Sequence, residues 1–356
     1  MRSDGRPILI TGGAGFIGSN VADRLAAAGN EIIVYDALSR PGVERNLAWL
    51  KDRHGRLITH VAGDVRDEDQ LVRAVGEAGA VFHFAAQVAV TTSLADPRED
   101  FDINVRGTIN LLDAVRTRRD RVPVIFASTN KVYGDLADIE FDTLHDRYEP
   151  KSFVARRGID ESRPLDFHTP YGCSKGAADQ YVIDYARSFG IPTAVFRMSC
   201  IYGQRQMGTE DQGWVAHFLI RALEGRPITI YGDGRQVRDI LDVGDAVSAY
   251  VTALENIDRI AGQAFNLGGG PDNAISLLQL IEEIREVVGR EVELTFEDWR
   301  QGDQRWYVSD THAARAALNL PHPRGWREGV AHLAEWLSKE RGLELRPQLH
   351  LASAAE

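Results

Sequence analysis

The chain has 356 residues and a mass near 39.5 kDa, 44% apolar and 26% charged, which excludes disordered and fibrous classes and allows roughly two globular domains. Its 52 acidic residues outnumber 41 basic ones, so a formal charge of −11 disfavours nucleic acid and anionic membrane as partners. Two cysteines, Cys173 and Cys200, form neither a metal-ligand spacing nor a disulfide framework, and no apolar run reaches the ~18 residues of a membrane span.

The first strand is expected at Pro7–Thr11, too close to the start for a leader segment, which points to the reducing cytoplasm. The turn G-x-x-G-x-x-G follows at Gly12, Gly15 and Gly18, then a helical pattern over Ser19–Ala28. Glycines between a strand and a helix let backbone N–H groups approach a pyrophosphate, and the helix N-terminus adds partial positive charge. Glu31–Tyr35 is the next strand and ends on Asp36, 18 residues past Gly18. A carboxylate there accepts from both ribose hydroxyls of an adenosine. It would repel a 2′-phosphate by ~4 kcal/mol at ~4 Å and an effective dielectric of ~20, so NAD is preferred to NADP. Arg40 is the counter-signal.

A short strand at His60–Ala62 stops before Asp64 and Val65, which are placed to meet the adenine. Further strands are expected at Val81–Ala85, Pro123–Ala127 and Pro192–Arg197, with helices at Asp67–Ala78, Arg98–Arg116 and Ser174–Ser188. Strands alternating with helices indicate βαβ units, and their near-continuous apolar character indicates a parallel sheet covered on both faces. Residues 136–169 carry many charges and few apolar positions, and their place beside the motifs below suggests a lid. After about residue 200, helices are expected at Gly213–Leu223, Val243–Glu255, Ser276–Val288 and Gly329–Lys339, with short strands at Ile228–Tyr231 and Ala264–Leu267.

The chemistry is carried by Tyr171-Gly-Cys-Ser-Lys175, whose ends lie four apart on one helix face. The Lys175 ammonium and a positive nicotinamide both favour phenolate, so Tyr171 can act as a base near neutral pH. Thr129, at the end of the Pro123–Ala127 strand, would orient the reacting alcohol and share its proton.

These stretches resemble the extended short-chain dehydrogenase/reductase family of nucleotide-sugar epimerases and dehydratases. The motifs TGGAGFIG, His83-Phe-Ala-Ala86, Asn104-Val-Arg-Gly-Thr108, Val132-Tyr-Gly134, Tyr171-x-x-x-Lys175, Arg238-Asp239 and Asp303-Gln-Arg305 fall in family order over about residues 7–340. The resemblance implies an α/β fold, a Rossmann-type doubly wound parallel sheet with a smaller α/β C-terminal substrate domain. The NAD-binding part would be residues 1–198 with a returning segment at about 236–268. The nucleotide-sugar part would be residues 199–235 and 269–342, and residues 343–356 a loose tail. It further implies a tightly bound NAD, regenerated each turnover, on Gly12, Gly15, Phe16, Ile17, Gly18, Asp36, Asp64, Val65, Ala85, Ala86, Gln87, Asn104 and Lys175. Thr129, Asn130, Cys200, Arg205, Arg238 and Arg305 would meet a nucleoside diphosphate sugar, the last two arginines at the diphosphate. His168 would either position the sugar or cap the Tyr171 helix. A homodimer or homotetramer is implied as well.

The family's 4,6-dehydratases carry Asp-Glu after the catalytic threonine, whereas this chain has Asn130-Lys131, which removes the acid–base pair for elimination. An epimerase needs only the tyrosine, the lysine, a hydroxyl and retained NAD. Ser128–Asp135, Asp166–Tyr181 and Asp211–Val215 resemble the branch that inverts CDP-deoxyhexoses at C2, and Cys200 replaces the asparagine usual in 4-epimerases. By that resemblance Tyr171 takes the C2 hydroxyl proton as hydride leaves C2, a 2-keto sugar turns over, and hydride returns to the opposite face. Residues 136–169 and 199–215 would set the pose of the sugar. Inversion at C4 and net NAD-dependent oxidation of a sugar nucleotide remain the alternatives. A non-catalytic NAD-binding regulator is disfavoured, since Tyr171 and Lys175 are both kept.

Overall fold

The computed structural model describes residues 5–345. Most of the expected tail, residues 346–356, lies outside the described residues. Seven strands form one parallel sheet: β1 (Ile8–Thr11), β2 (Ile32–Tyr35), β3 (Ile58–Val61), β4 (Ala80–His83), β5 (Val124–Thr129), β6 (Thr193–Met198) and β7 (Gln263–Leu267). Their order is β7-β6-β5-β4-β1-β2-β3, with Ile8 in register with Ile32 on one side and Ala80 on the other. The chain therefore reverses direction across the sheet between β1 and β4. Such a switch point opens a crevice at the carboxyl ends of the strands, where ligands of this fold class bind.

Every residue of β1, β2, β4 and β5 is buried, because helices cover both faces. One face packs against the helices Phe16–Ala27 and Val43–His54, the other against Glu68–Glu77, Gly107–Arg116 and Thr169–Phe189. The helix Val43–His54 was not among the expected elements. Its buried side is only Val43, Asn46, Leu47 and Leu50, too sparse to stand out from its charged remainder. The single helix expected over 98–116 is broken into Pro97–Phe101, a wide π turn at Asp102–Arg106, and Gly107–Arg116. Asn104 lies within that π turn.

A second core lies between the helices Trp214–Leu223, Leu277–Val288 and Trp326–Arg341 and the strands Ile228–Tyr231 and Val237–Asp242. Ser276 and Gln279 form a reciprocal capping box that starts Leu277–Val288. The chain returns to the first core from Leu241 onward, near the expected 236. Val237–Asp242 pairs with Cys200–Tyr202, Ala274–Ser276 and Trp306–Tyr307 in a small sheet, while Leu241, the helices Val243–Glu255 and Ile257–Ile260 and the strand Gln263–Leu267 belong to the first core. His312–Leu318 also packs on the first core, although it falls within the expected 269–342 segment.

Residues 136–169 are not a lid. They form a hairpin, Phe141–Thr143 with Tyr148–Pro150, and a short helix, Phe153–Arg156. Backbone bonds tie Tyr148 to Arg235, Ile159 to Val308 and Asp166 to Val132. Leu136 and Ile159 are buried against Val237, Trp306 and Tyr307, which holds the segment on the small sheet and away from the crevice. Among the described residues no helix is long and apolar enough to cross a membrane.

Candidate active site

The crevice is a cleft of about 800 Å³ running from the glycine turn, past the ends of β4 and β5, to the second core. At its start the chain leaves β1 in the left-handed conformation, with φ +67° at Gly12. A Cβ on Gly12 would stand 2.7 Å from the Ala85 nitrogen, and one on Gly18 would stand 2.2 Å from the Gly12 carbonyl oxygen. Only glycine lets the helix Phe16–Ala27 begin this close to the strand. That helix has Gly15 as its N-cap and no side-chain cap, so its first amides face the cleft unclaimed by the chain. Asp36 is fixed beside the turn, its carboxylate accepting from Ala14 N–H at 3.0 Å and Leu38 N–H at 2.9 Å. Close backbone, free helix amides and a fixed carboxylate suit the pyrophosphate and ribose of NAD.

Phe16, Ile17, Ala85, Ala86, Asp64 and Val65 line the same end. The Asp64 carboxylate is gripped by Arg66 at 2.6 and 2.9 Å, which holds it below the usual carboxylate range. Gln87 and Asn104 sit behind the lining. The Gln87 N–H donates to Asn104 Oδ1 at 2.9 Å, and Asn104 Nδ2 donates to the Gln87 carbonyl and to Ser174 Oγ, each at 3.0 Å. They brace the helix turn that carries Lys175. His83 is buried and neutral, bonded to Thr11 at 2.6 Å and Thr108 at 3.0 Å, with burial pushing its pKa down to about 3.

The helix expected from Ser174 starts five residues earlier, at Thr169, so Tyr171 lies in its first turn and Lys175 in its second. The Tyr171 N–H donates to Ser93 Oγ at 3.2 Å. Lys175 Nζ donates to the Ala127 carbonyl at 2.6 Å and lies 4.2 Å from the Phe126 ring centroid. Burial pushes the ammonium down to about 7, with Asp179 and Asp100 opposing. Burial pushes the Tyr171 phenol up to about 12, while the Thr129 hydroxyl beside it pulls it down and Asp100 pushes it up. The protein's own groups therefore keep Tyr171 protonated at neutral pH. Activation of the phenol depends on charge brought in by what binds. Behind Thr129, Asp179 accepts from Ser128 at 2.7 Å and from two Arg197 nitrogens at 3.0 Å, and Arg197 also meets Tyr133. This buried network holds the end of β5 against the catalytic helix.

Thr129, Asn130, Cys200, Arg205 and Arg238 line the other half of the cleft. Arg238 is buried and donates to Asp303 at 2.6 Å and to the Gln304 and Val237 carbonyls at 2.7 Å. Arg205 lies over the Trp49 ring at 4.1 Å. Cys200 Sγ accepts from Trp214 Nε1 at 3.4 Å, and burial raises its thiol pKa. His168 and Arg305 are outside the lining. His168 is exposed between Asp135 and Asp166 and does not cap the helix with its side chain, and Arg305 is turned to the Tyr148 ring. Sequence reasoning passed over Lys131, Gln206, Gln236 and Arg300, which all line the cleft. Arg300 stacks on Tyr231 at 3.8 Å and pairs with Asp211 at 3.3 Å. Its signal was its place in the same segment as Asp303-Gln-Arg305.

Residues 8–268 match the family described as the NAD dependent epimerase/dehydratase family. The chain is 44% identical to CDP-paratose 2-epimerase of Salmonella typhi, over 93% of this chain and 99% of that one. Among solved structures it is similar to UDP-glucose 4-epimerase of Thermotoga maritima with UDP-glucose, at TM-score 0.81 and 30% identity over 94% and 99% of the two chains. It is also similar to UDP-glucose 4-epimerase of Thermus thermophilus in complex with NAD, at TM-score 0.77 and 29% identity over 93% and 98%.

Proposed function

We propose that this chain, which belongs to the NAD dependent epimerase/dehydratase family, inverts C2 of a CDP-deoxyhexose of the paratose–tyvelose type. As an NAD-dependent nucleotide-sugar epimerase it is an isomerase. The observation that carries the sugar and the position is the 44% identity along nearly all of both chains to a CDP-paratose 2-epimerase. Asn130-Lys131 after Thr129 agrees with it, since no carboxylate stands there to expel water.

NAD held in this cleft would supply a reversible hydride acceptor for the sugar. Gly12, Gly15, Gly18 and Asp36 hold its adenosine diphosphate half. Tyr171 accepts the proton of the C2 hydroxyl, which Thr129 orients, and later returns a proton to the oxygen of the 2-keto sugar. Lys175 sits one helical turn away, anchored on the Ala127 carbonyl, and together with the positive nicotinamide of bound NAD would lower the pKa of the phenol. Arg238, Arg205 and Arg300 hold the diphosphate, with Arg300 in the place the sequence assigned to Arg305. We place the protein in the cytoplasm as a homodimer or homotetramer; exposed Tyr181 and Phe189 on the Thr169–Phe189 helix support a face for a second copy.

The test is turnover of CDP-paratose deuterated at C2, followed by NMR of the product. The expected result is inversion at C2 with the label retained, because the hydride returns to the carbon it left. Inversion at C4 with C2 untouched would overturn the position and leave the family standing. Steady accumulation of NADH, seen at 340 nm, would instead mark a net oxidoreductase.

A further inference from the structure

Lys131 lies in the short turn Asn130–Tyr133, two residues past Thr129, and lines the cleft. Its ammonium donates to the Gly302 carbonyl at 3.0 Å. Among the described residues no carboxylate pairs with it, and the nearby Asp303 is already engaged by Arg238 at 2.6 Å. Burial pushes its pKa down to about 8, Arg238 pushes the same way, and Asp303 opposes. An ammonium that lines the cleft beside a catalytic threonine, part-buried and paired with no carboxylate, is accounted for by a ligand that accepts from it. The Gly302 carbonyl uses one of its three donors, which leaves two N–H groups for that ligand.

Resting on the reading that the cleft takes a CDP-hexose, we propose that Lys131 is a substrate-binding residue whose ammonium donates to a hydroxyl of the hexose. Thr129 and Tyr171 meet the reacting hydroxyl, and Lys131, reached from the same turn, holds the ring from a second point. A two-point hold of this kind sets which ring carbon faces the phenol. The diphosphate is left to the arginines, so Lys131 contributes to binding only when a sugar is attached.

The experiment is calorimetric titration of the NAD-loaded full chain with CDP and with CDP-glucose, for wild type and Lys131→Met. Wild type is expected to bind CDP-glucose more tightly than CDP. Lys131→Met is expected to lose about tenfold or more in CDP-glucose affinity, the range for a hydrogen bond from a charged donor, with CDP affinity unchanged. Lys131→Gln, which keeps a donor, should recover part of the loss; it also serves as the test variant if the methionine protein does not fold, with bound NAD as the check of folding. Equal loss for CDP and CDP-glucose would reassign Lys131 to the diphosphate or to holding the Gly302 loop, and no loss for either would remove it from the site; both overturn the proposal. Wild type binding both ligands equally overturns it too. Wild type binding neither would overturn the CDP-hexose reading itself.

Discussion

Replacing Tyr171 with Phe removes one phenolic oxygen and little else. The ring is only 9% exposed and packs in the first turn of its helix, where its backbone N–H, untouched by the change, still donates to Ser93. Folding and NAD content should therefore match wild type. Turnover should fall ~10²–10⁴-fold, about 3–5 kcal/mol, the usual contribution of a positioned acid–base group. The pH dependence sharpens the test. With the phenol pushed up to about 12, ionising it at pH 7 in the protein alone costs roughly 7 kcal/mol. Bound charge lowers that cost, but the reactive form is still the one that has lost its proton. Wild-type kcat/KM should then climb about tenfold per pH unit on its ascending limb, and the residual activity of Tyr171→Phe should be flat. The assay is chromatographic separation of the epimeric sugar nucleotides across pH 6–10, with NAD quantified after denaturation. Activity within threefold of wild type, or an unchanged pH slope in the variant, would refute the role given to Tyr171.

Asp36→Ala should weaken NAD and narrow its preference over NADP, because the carboxylate that repels a 2′-phosphate also secures Ala14 and Leu38 of the turn; equal binding of both cofactors by wild type would contradict this. Asp179→Asn leaves the buried Arg197 guanidinium without its counter-ion and should cost ~3–5 kcal/mol in urea unfolding, whereas a change under 1 kcal/mol would show the pair to be dispensable. Lys175→Met should stabilise the ligand-free fold most at low pH. The folded pKa of Lys175 is pushed from 10.5 down to about 7, so the native lysine is penalised fully below pH 7 and the penalty fades as pH rises toward 10.5. The melting-temperature advantage of the variant should shrink steadily from pH 6 to pH 10, and a constant or growing difference would count against burial as the cause.

What the sequence determined by itself was local and contiguous. The glycine turn is legible because Gly12, Gly15 and Gly18 join one strand directly to one helix, and Asp36 because it ends the neighbouring strand. Tyr171 and Lys175 are legible because helical pitch alone puts positions four apart on one face. The tertiary structure decided what depends on packing between distant segments. Arg300 and Arg305 are five residues apart in one irregular stretch, and the family resemblance pointed to Arg305. Pairing of Trp306–Tyr307 with Val237–Arg238 anchors that stretch, leaving Arg305 against Tyr148 and Arg300 in the cleft. Residues 136–169 looked like a lid because their buried side chains, Leu136, Tyr148 and Ile159, follow no period; they are buried by a sheet assembled from residues far along the chain. The charge states of Tyr171, Lys175 and Lys131 were beyond the sequence for the same reason. Each is set by desolvation, and desolvation depends on how much protein closes around a group in three dimensions.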